Sequence, residues 1–266
     1  MKPSLKRIIS LFILLLLVIS ISACNKQTEL KEGEKELDTL IKSLPSMLES
    51  DKRIFTAKII SAKDEKALIN FYNIDINDYT VYEVEVLDDI SGLMPDKPVY
   101  LYSIGKSEQF NRKTLKKGEI YLLNVSPWVY GDQIIYLLPT YSTSYPKLDT
   151  ANRLVYTDDN ESYDMCSYQE FIDLYHEQRN TFAKSHPDYF CPENILDRHI
   201  TQADEILQTN SNTDIYNDPD REYEWIPSED FIKQTIEKSG QLLAALNQLK
   251  NNNSVTLESI AGVYEN

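Results

Sequence analysis

Apolar and polar residues follow three different patterns along the chain, and the first pattern is an uninterrupted apolar run. Residues 8–21 are apolar except for two serines, and Lys2, Lys6 and Arg7 precede them without any acidic residue. A helix over these 14 residues would span about 21 Å, short of the roughly 30 Å hydrocarbon core of a bilayer. A basic start followed by a short apolar run is typical of a secretory signal peptide.

The segment after the apolar run changes to helical spacing. Between residues 27 and 50 apolar side chains recur on one helical face, which predicts a helix of two or three turns. Pro45 is expected to interrupt this helix, since proline cannot donate a backbone hydrogen bond. The segment either forms a stalk between a membrane and the body of the protein or packs onto the body.

Over residues 53–143 the apolar positions recur at every second residue, which is the spacing of β-strands. In the stretch YEVEV, for instance, Tyr82 and Val84 point to one side while Glu83 and Glu85 point to the other. Five such segments are separated by turn signals such as KG and YGD. Five short strands in about 90 residues predict a small β-barrel.

The C-terminal part of the chain returns to helical spacing after a candidate sixth strand at residues 151–156. Ser167 and Glu170 match a capping box, which predicts a helix that begins there. Pro192 is placed to open a second helix, and Ser228 to cap a third. The last 13 residues contain a short apolar stretch that predicts no specific element.

The apolar run ends in a motif that resembles the lipobox of bacterial lipoproteins. Ile21, Ser22, Ala23 and Cys24 supply the aliphatic, small, small and cysteine positions of that motif. The resemblance implies cleavage before Cys24, with diacylglycerol on its sulfur and often a further acyl group on the new amine. Two or three acyl chains would anchor the protein firmly, because each buried CH₂ contributes about 0.8 kcal/mol. Membrane lipid is therefore an expected partner, and the outer face of the bacterial cell membrane is the expected location.

The order of the predicted strands resembles a second family. The stretches VYEVEVLDDISG, PVYLYSIG, LKKGEIYLLNV and IIYLL are similar to the OB-like barrel of netrin/metalloproteinase-inhibitor-like modules in bacterial surface proteins. In the animal inhibitors a free N-terminal cysteine amine chelates the protease zinc. Here Cys24 is expected to be acylated and lies well before the first strand, so the resemblance implies the fold and not the inhibitory chemistry.

Together these patterns predict an α+β protein with four segments. Residues 1–23 form a lipoprotein signal peptide and residues 24–50 a helical stalk or linker. Residues 51–157 form a five- to six-stranded antiparallel OB-like β-barrel, and residues 158–266 a C-terminal region of about three helices packed on the barrel.

The charge of the chain narrows the choice of partners. The net charge is −15, and loss of the basic leader would take it to −18. An acidic surface repels nucleic acid phosphates, so DNA or RNA binding is not expected. The acidic residues of 218–224 do not match the register of an EF-hand calcium loop and are expected to form a solvated loop.

Few residues are placed for catalysis or metal binding. Cys166 and Cys191 either form a disulfide, worth about 3 kcal/mol for a loop of this length, or remain two buried thiols. No cysteine and histidine spacing matches a zinc site. His199 lies on the apolar stripe of its helix and is expected to be structural. Neither a nucleophile elbow nor a glycine-rich phosphate loop is present in the sequence, and no cofactor is predicted.

The function expected from these observations is non-catalytic binding at the cell envelope. A lipid-anchored surface module would bind an envelope protein or glycan, and exposed members of its 18 tyrosines could stack on sugars or form an interface. One alternative is a cell-envelope hydrolase that uses carboxylates, and another is a protease inhibitor. No catalytic residues are assigned; the site residues predicted are Cys24 for lipidation and Cys166 with Cys191 for a possible disulfide.

Overall fold

The computed structural model describes residues 32–66, 78–104, 115–139, 145–158, 161–212, 228–252 and 254–265. These residues form eight strands and five helices. The strands are β1 (Arg53–Lys66), β2 (Asp78–Asp89), β3 (Val99–Ile104), β4 (Ile120–Tyr130), β5 (Gln133–Leu137), β6 (Lys147–Leu148), β7 (Arg153–Asp158) and β8 (Glu161–Ser167). The helices are α1 (Glu32–Glu49), α2 (Tyr168–Ser185), α3 (Pro192–Ser211), α4 (Glu229–Lys250) and α5 (Leu257–Val263).

The first five strands close into a barrel, which confirms the predicted fold class. The strand order is β1-β2-β3-β5-β4, and β1 also pairs with β4 to complete the ring. The prediction that every pair is antiparallel was wrong at one place, because β3 and β5 run parallel, with Leu101 opposite Tyr136. The reason is topological: a closed ring with an odd number of strands cannot alternate direction at every pair. This barrel is compatible with an OB-like fold.

The barrel interior contains the apolar face that the alternating pattern predicted. Phe55, Ala57 and Ile59 of β1 are fully buried, and Tyr82 and Val84 of β2 lie in the same cluster. β-Strands expose alternate side chains to opposite faces, so one period-two pattern is enough to define the inside of such a barrel.

Three further strands extend the sheet beyond the barrel. β6 pairs with β4, and β7 and β8 follow as an antiparallel hairpin. β7 overlaps the candidate sixth strand but lies two residues later, whereas β8 was missed. The region predicted to be helical from residue 158 therefore begins with a strand. In β8 only Met165 and Cys166 are buried, and they are adjacent in sequence. It therefore lacks the alternation that indicates a strand.

Helix α1 packs against the body of the protein. Leu44 and Leu48 are buried, and the helix contacts β8 and α2. The expected interruption at Pro45 is wrong, because the helix continues through this residue to Glu49. Pro45 is exposed, and the burial of Leu44 and Leu48 on either side of it compensates for the lost hydrogen bond.

Gly33 allows α1 to approach the β8 strand closely. A Cβ atom at this position would lie 2.9 Å from the carbonyl carbon of Asp164 and 3.3 Å from that of Tyr163. Only a residue without a side chain fits such a contact with a backbone. The described part of the N-terminal region is therefore docked on the body.

Three of the C-terminal helices begin where the sequence predicted. Ser167 forms the capping box of α2 with Glu170, Pro192 is the first residue of α3, and Ser228 caps α4. The short helix α5 was not predicted. None of the described helices is long and apolar enough to cross a bilayer.

The C-terminal helices cover one outer side of the barrel. Trp128 and Val129 of β4 and Ile134 of β5 pack against a cluster formed by α3, α4 and α5. This layer leaves part of the outer surface of β2 and β3 uncovered, and the candidate site lies there.

Candidate ligand-binding groove

An open groove of about 540 Å³ runs beside β2, where the chain turns into β3. A volume of this size falls in the range of small-ligand pockets. One wall is β2 and the other is the segment of residues 94–98. The lining residues combine apolar and charged side chains: Ile60, Glu83, Val84, Glu85, Val86, Asp89, Met94, Pro95, Asp96, Lys97 and Pro98.

Asp89 orders the wall opposite β2. Its Oδ1 accepts a 2.7 Å hydrogen bond from the Ser91 hydroxyl, and its Oδ2 accepts one of 2.7 Å from the Met94 amide. The carboxylate thereby closes the turn between β2 and residues 94–98. Hydrogen bonds to charged groups are about twice as strong as neutral ones, so this wall is held before any ligand binds.

Glu265, near the C-terminus, forms two hydrogen bonds to the same wall. Glu265 Oε1 accepts a 3.0 Å hydrogen bond from the Asp96 amide, and the Glu265 carbonyl accepts one from the Lys97 ammonium. Two prolines, Pro95 and Pro98, flank this contact. Because proline has a fixed φ, the segment has little freedom to collapse into the groove.

The rim of the groove on β2 is acidic. Glu83 and Glu85 alternate with buried residues and point outward. Glu83 Oε2 accepts a 3.0 Å hydrogen bond from the Ser61 hydroxyl, which orients its carboxylate. Lys58 lies opposite Glu85 in the pairing of β1 with β2. The carboxylates of this rim can accept hydrogen bonds from hydroxyl or amine groups of a ligand.

Two large hydrophobic side chains stay exposed next to this acidic rim. Among the described residues they are Leu87, which is 46% exposed, and Tyr100, which is 49% exposed. Tyr100 lies directly opposite Glu83 in the pairing of β2 with β3, so their Cβ atoms are about 5 Å apart. Leu87 follows Glu85 on the same face of β2. An aromatic ring beside carboxylates is a surface suited to sugars or to another protein.

Another part of this barrel face is covered by aromatic packing. Tyr102, two residues after Tyr100, packs 5.8 Å from the ring of Tyr130, and Tyr130 packs edge-to-face on Phe231 of α4 at 5.0 Å. Helix α4 thus occupies one end of the face and leaves the end with the groove open.

A buried arginine lies at the start of β1. Arg53 is fully buried, and its Nη1 donates a 3.0 Å hydrogen bond to the Tyr136 hydroxyl. Its guanidinium carbon lies 4.1 Å from the ring centroid of Tyr264 and 5.1 Å from that of Tyr136. Among the described residues neither Nε nor Nη2 has a hydrogen-bond partner. The two aromatic rings therefore stabilise this charge through cation–π attraction, in addition to the hydrogen bond to Tyr136.

His199 completes this buried centre and is structural, as predicted. Its Nδ1 lies 2.8 Å from the Tyr264 hydroxyl, and both side chains are buried. Burial, together with the nearby positive charges of Arg53 and Arg198, lowers the pKa of His199 to about 3. Burial also raises the pKa of Tyr264 to about 12. At neutral pH both groups are therefore uncharged beside the arginine.

The buried centre positions the groove and is not itself open to a substrate. Tyr264 contacts Arg53 and His199, while the next residue, Glu265, holds Asp96 and Lys97 of the groove wall. The contacts of Tyr264 with Arg53 and His199 therefore hold the C-terminal turn in place. The turn in turn holds Asp96 and Lys97 of the groove wall through Glu265.

The predicted site residues lie away from the groove. Cys24 falls outside the described residues. Cys166 is buried in β8 and Cys191 precedes α3, and both are unbonded thiols in the structure. Burial, aided by the charge of Glu170, raises the pKa of the Cys166 thiol to about 11, so this thiol is protonated at neutral pH.

The described residues contain no group of three or more histidine, cysteine, aspartate or glutamate side chains arranged to hold a metal ion. The acidic segment 218–224 lies outside them.

Sequence reasoning missed most of the groove and of the buried centre. Arg53 has the position of an ordinary strand-opening residue, and Tyr264 lies in the stretch that predicted no element. Tyr100 is the exception, because the sequence predicts that exposed tyrosines form a stacking surface.

No protein-family model matches the chain, and comparison with curated proteins and with solved structures finds no significant match.

Proposed function

We propose that this protein is a lipid-anchored, non-catalytic binding module at the outer face of a bacterial cell membrane, and that its groove binds an envelope protein or glycan. The observation that carries the binding proposal is the groove beside β2, whose wall is ordered by Asp89 and Glu265 next to the exposed ring of Tyr100. A wall ordered in advance lowers the entropic cost of binding.

The chemistry of the groove indicates what it would bind. Tyr100, beside the groove, offers an aromatic face, and Glu83 and Glu85 in its lining offer acceptors for hydroxyl or amine donors. The net charge of −15 disfavours polyanions such as nucleic acids. A neutral or basic ligand with donor groups, such as a glycan or a basic protein surface, fits this combination.

The anchor rests on the sequence motif that ends at Cys24. The lipobox-like residues and the short apolar run before them support cleavage and acylation at this cysteine. The 1-2-3-5-4 order of the barrel strands supports the resemblance to OB-like netrin/metalloproteinase-inhibitor-like modules, which implies a binding fold on this anchor.

Photo-crosslinking in intact cells tests the binding proposal. A crosslinking amino acid replaces Tyr100, which lies opposite Glu83 beside the groove, in one variant. In the control it replaces Gln208, an exposed residue of α3. We expect one reproducible partner from position 100 and none from position 208. Equal capture from both positions, or none from either, would contradict the assignment of the groove.

Sedimentation with purified cell-wall glycan tests the glycan arm directly. If glycan is the ligand, Tyr100→Ala should weaken binding about 2- to 10-fold, as expected for loss of one aromatic contact. Hydrolysis of the glycan by the wild-type protein, abolished by Glu83→Gln or Glu85→Gln, would instead support the hydrolase alternative.

Labelling with radioactive palmitate tests the anchor. The wild-type protein should incorporate label and fractionate with membranes, and Cys24→Ala should do neither. A variant that still incorporates palmitate would refute acylation at Cys24.

A further inference from the structure

Strand β2 is longer than its pairing with β3. The last pair joins Val84 to Val99, yet β2 continues to Asp89 with β1 beside it. No backbone hydrogen bond joins residues 85–88 to residues 94–98, the segment that leads into β3. Residues 85–88 therefore form an open strand edge on the side away from β1.

The groove of about 540 Å³ lies along this edge. Glu85, Val86 and Asp89 line it from β2, and residues 94–98 line it from the opposite side. The Met94 amide donates to the carboxylate of Asp89 and not to the main chain of β2, so the two segments stay apart between the strand pair and the turn. An open strand edge of this kind is a template for pairing with another chain.

An added strand along this edge would meet two exposed side chains on the outer face of β2. They are Glu85 and Leu87, and Leu87 is the extra residue of a bulge in the pairing of β1 with β2. Side chains directly opposite each other in a strand pair have Cβ atoms about 5 Å apart, and a long side chain also reaches the diagonal neighbour. A residue opposite Glu85 would therefore have Glu83 as its diagonal neighbour.

The charge of the lining favours a basic segment. Four of the five charged residues in the described lining are acidic, namely Glu83, Glu85, Asp89 and Asp96. Glu83 and Asp89 already accept hydrogen bonds from the protein, whereas the other two are exposed. Lys97 donates its ammonium group to a backbone carbonyl, and Lys58, opposite Glu85 on β1, reduces the negative charge without reversing it.

We propose that the ligand of this groove is an extended protein segment that pairs with the open edge of β2, with a basic side chain opposite Glu85 and an apolar side chain opposite Leu87. The main chain of such an added strand supplies affinity, and its alternate side chains supply specificity. The inference rests on the proposed function, since it specifies the ligand class of the same groove. It selects a protein over a glycan, because a glycan has no strand to pair with the main chain of β2.

Matched short peptides test the ligand class by fluorescence anisotropy with the purified full chain. The first carries lysine and leucine two positions apart in a threonine and valine background, so that both lie on one face. The second has the same composition with the two residues adjacent, and the third has glutamine for lysine. We expect the first to bind most tightly, the second about 1.5- to 5-fold more weakly for loss of a cross-strand pair, and the third up to about fivefold more weakly. Equal binding by all three would overturn the proposal.

N-methylation of the first peptide tests main-chain pairing apart from side-chain contacts. One isomer carries methyl groups on the amides of one strand edge, and the other isomer carries them on the opposite edge. An added strand pairs through one edge, so one isomer should bind like the parent peptide. The other should bind at least about fivefold more weakly, for loss of main-chain hydrogen bonds. Equal binding by both isomers would overturn the added strand.

Three substitutions locate the site, with circular dichroism to confirm folding. Glu85→Gln should remove the preference for lysine over glutamine, and Leu87→Ala should remove the preference for lysine and leucine on one face. Glu205→Gln, which removes the same charge from an exposed residue of α3, should change neither preference. Unchanged preferences in both Glu85→Gln and Leu87→Ala would overturn the location.

The results distinguish failure of this inference from failure of the proposed function. If crosslinking at position 100 captures one partner or purified glycan binds, while no peptide binds, the added strand is refuted and the binding module stands. If crosslinking captures nothing and neither glycan nor peptide binds, both proposals fail.

Discussion

Gly33→Ala should detach α1 from β8, since its new methyl group would meet a backbone that cannot move aside. The Cβ atom would lie within 2.9 Å of the Asp164 carbonyl carbon, and closer still to its oxygen. Gly240 in α4 is the matched control, because a Cβ atom there meets nothing within 4 Å. The same substitution should therefore have opposite effects in two helices of one protein.

The magnitudes follow from the two environments. Overpacking of a tight contact costs about 1–3 kcal/mol, and alanine gains up to about 1 kcal/mol over glycine within a helix. Gly33 is the second residue of α1, where the helical gain is smaller, so Gly33→Ala should lower the free energy of unfolding by about 1–2 kcal/mol. Gly240→Ala should raise it by up to about 1 kcal/mol.

Thermal unfolding followed by circular dichroism measures both effects. At about 2–4 °C per kcal/mol for a domain of this size, Gly33→Ala should lower Tm by about 2–8 °C, and Gly240→Ala should raise it by at most about 2–4 °C. Limited proteolysis should also cleave within α1 faster in Gly33→Ala. A Gly33→Ala protein as stable as Gly240→Ala would refute the docking of α1 on β8.

Three further predictions concern buried polar groups. The pKa of His199 is about 3 in the folded protein and about 6.5 when unfolded, so its contribution to stability is complete above pH 6.5 and is lost as the pH falls. Urea denaturation at pH 7.5 and 4.5 should therefore show wild type losing about 2–3 kcal/mol more than His199→Gln; equal losses would contradict the burial of a neutral imidazole. Thr235→Val removes the hydroxyl that accepts a 3.0 Å hydrogen bond from the buried Gly131 amide, and should cost about 1–3 kcal/mol in the same assay, whereas wild-type stability would contradict this contact. Native alkylation at pH 8 should modify the half-buried Cys191 well before the buried Cys166; protection of both until a reductant is added would indicate the disulfide instead.

The elements that the sequence predicted correctly are those with a local pattern. Phe55, Ala57 and Ile59 are two residues apart and define the barrel interior, and Ser167 and Ser228 cap the helices that follow them. The errors have physical causes as well. β8 lacks alternation because its two buried side chains, Met165 and Cys166, are adjacent in sequence. The helix continues through Pro45 because tertiary burial outweighs a propensity that is only local.

Local patterns in the sequence alone determined the fold class, the five barrel strands and three of the helices, and they supply the whole basis for expecting an anchor at Cys24. Tertiary structure alone decided the parallel pairing of β3 with β5, the docking of α1, and the meeting of Arg53 with His199 and Tyr264. Periodicity and capping depend on residues at most a few positions apart, so both can be recognised from the sequence alone. A groove or a buried charge depends on residues far apart in the chain, and only the closure of the barrel and the packing of helices bring those residues together.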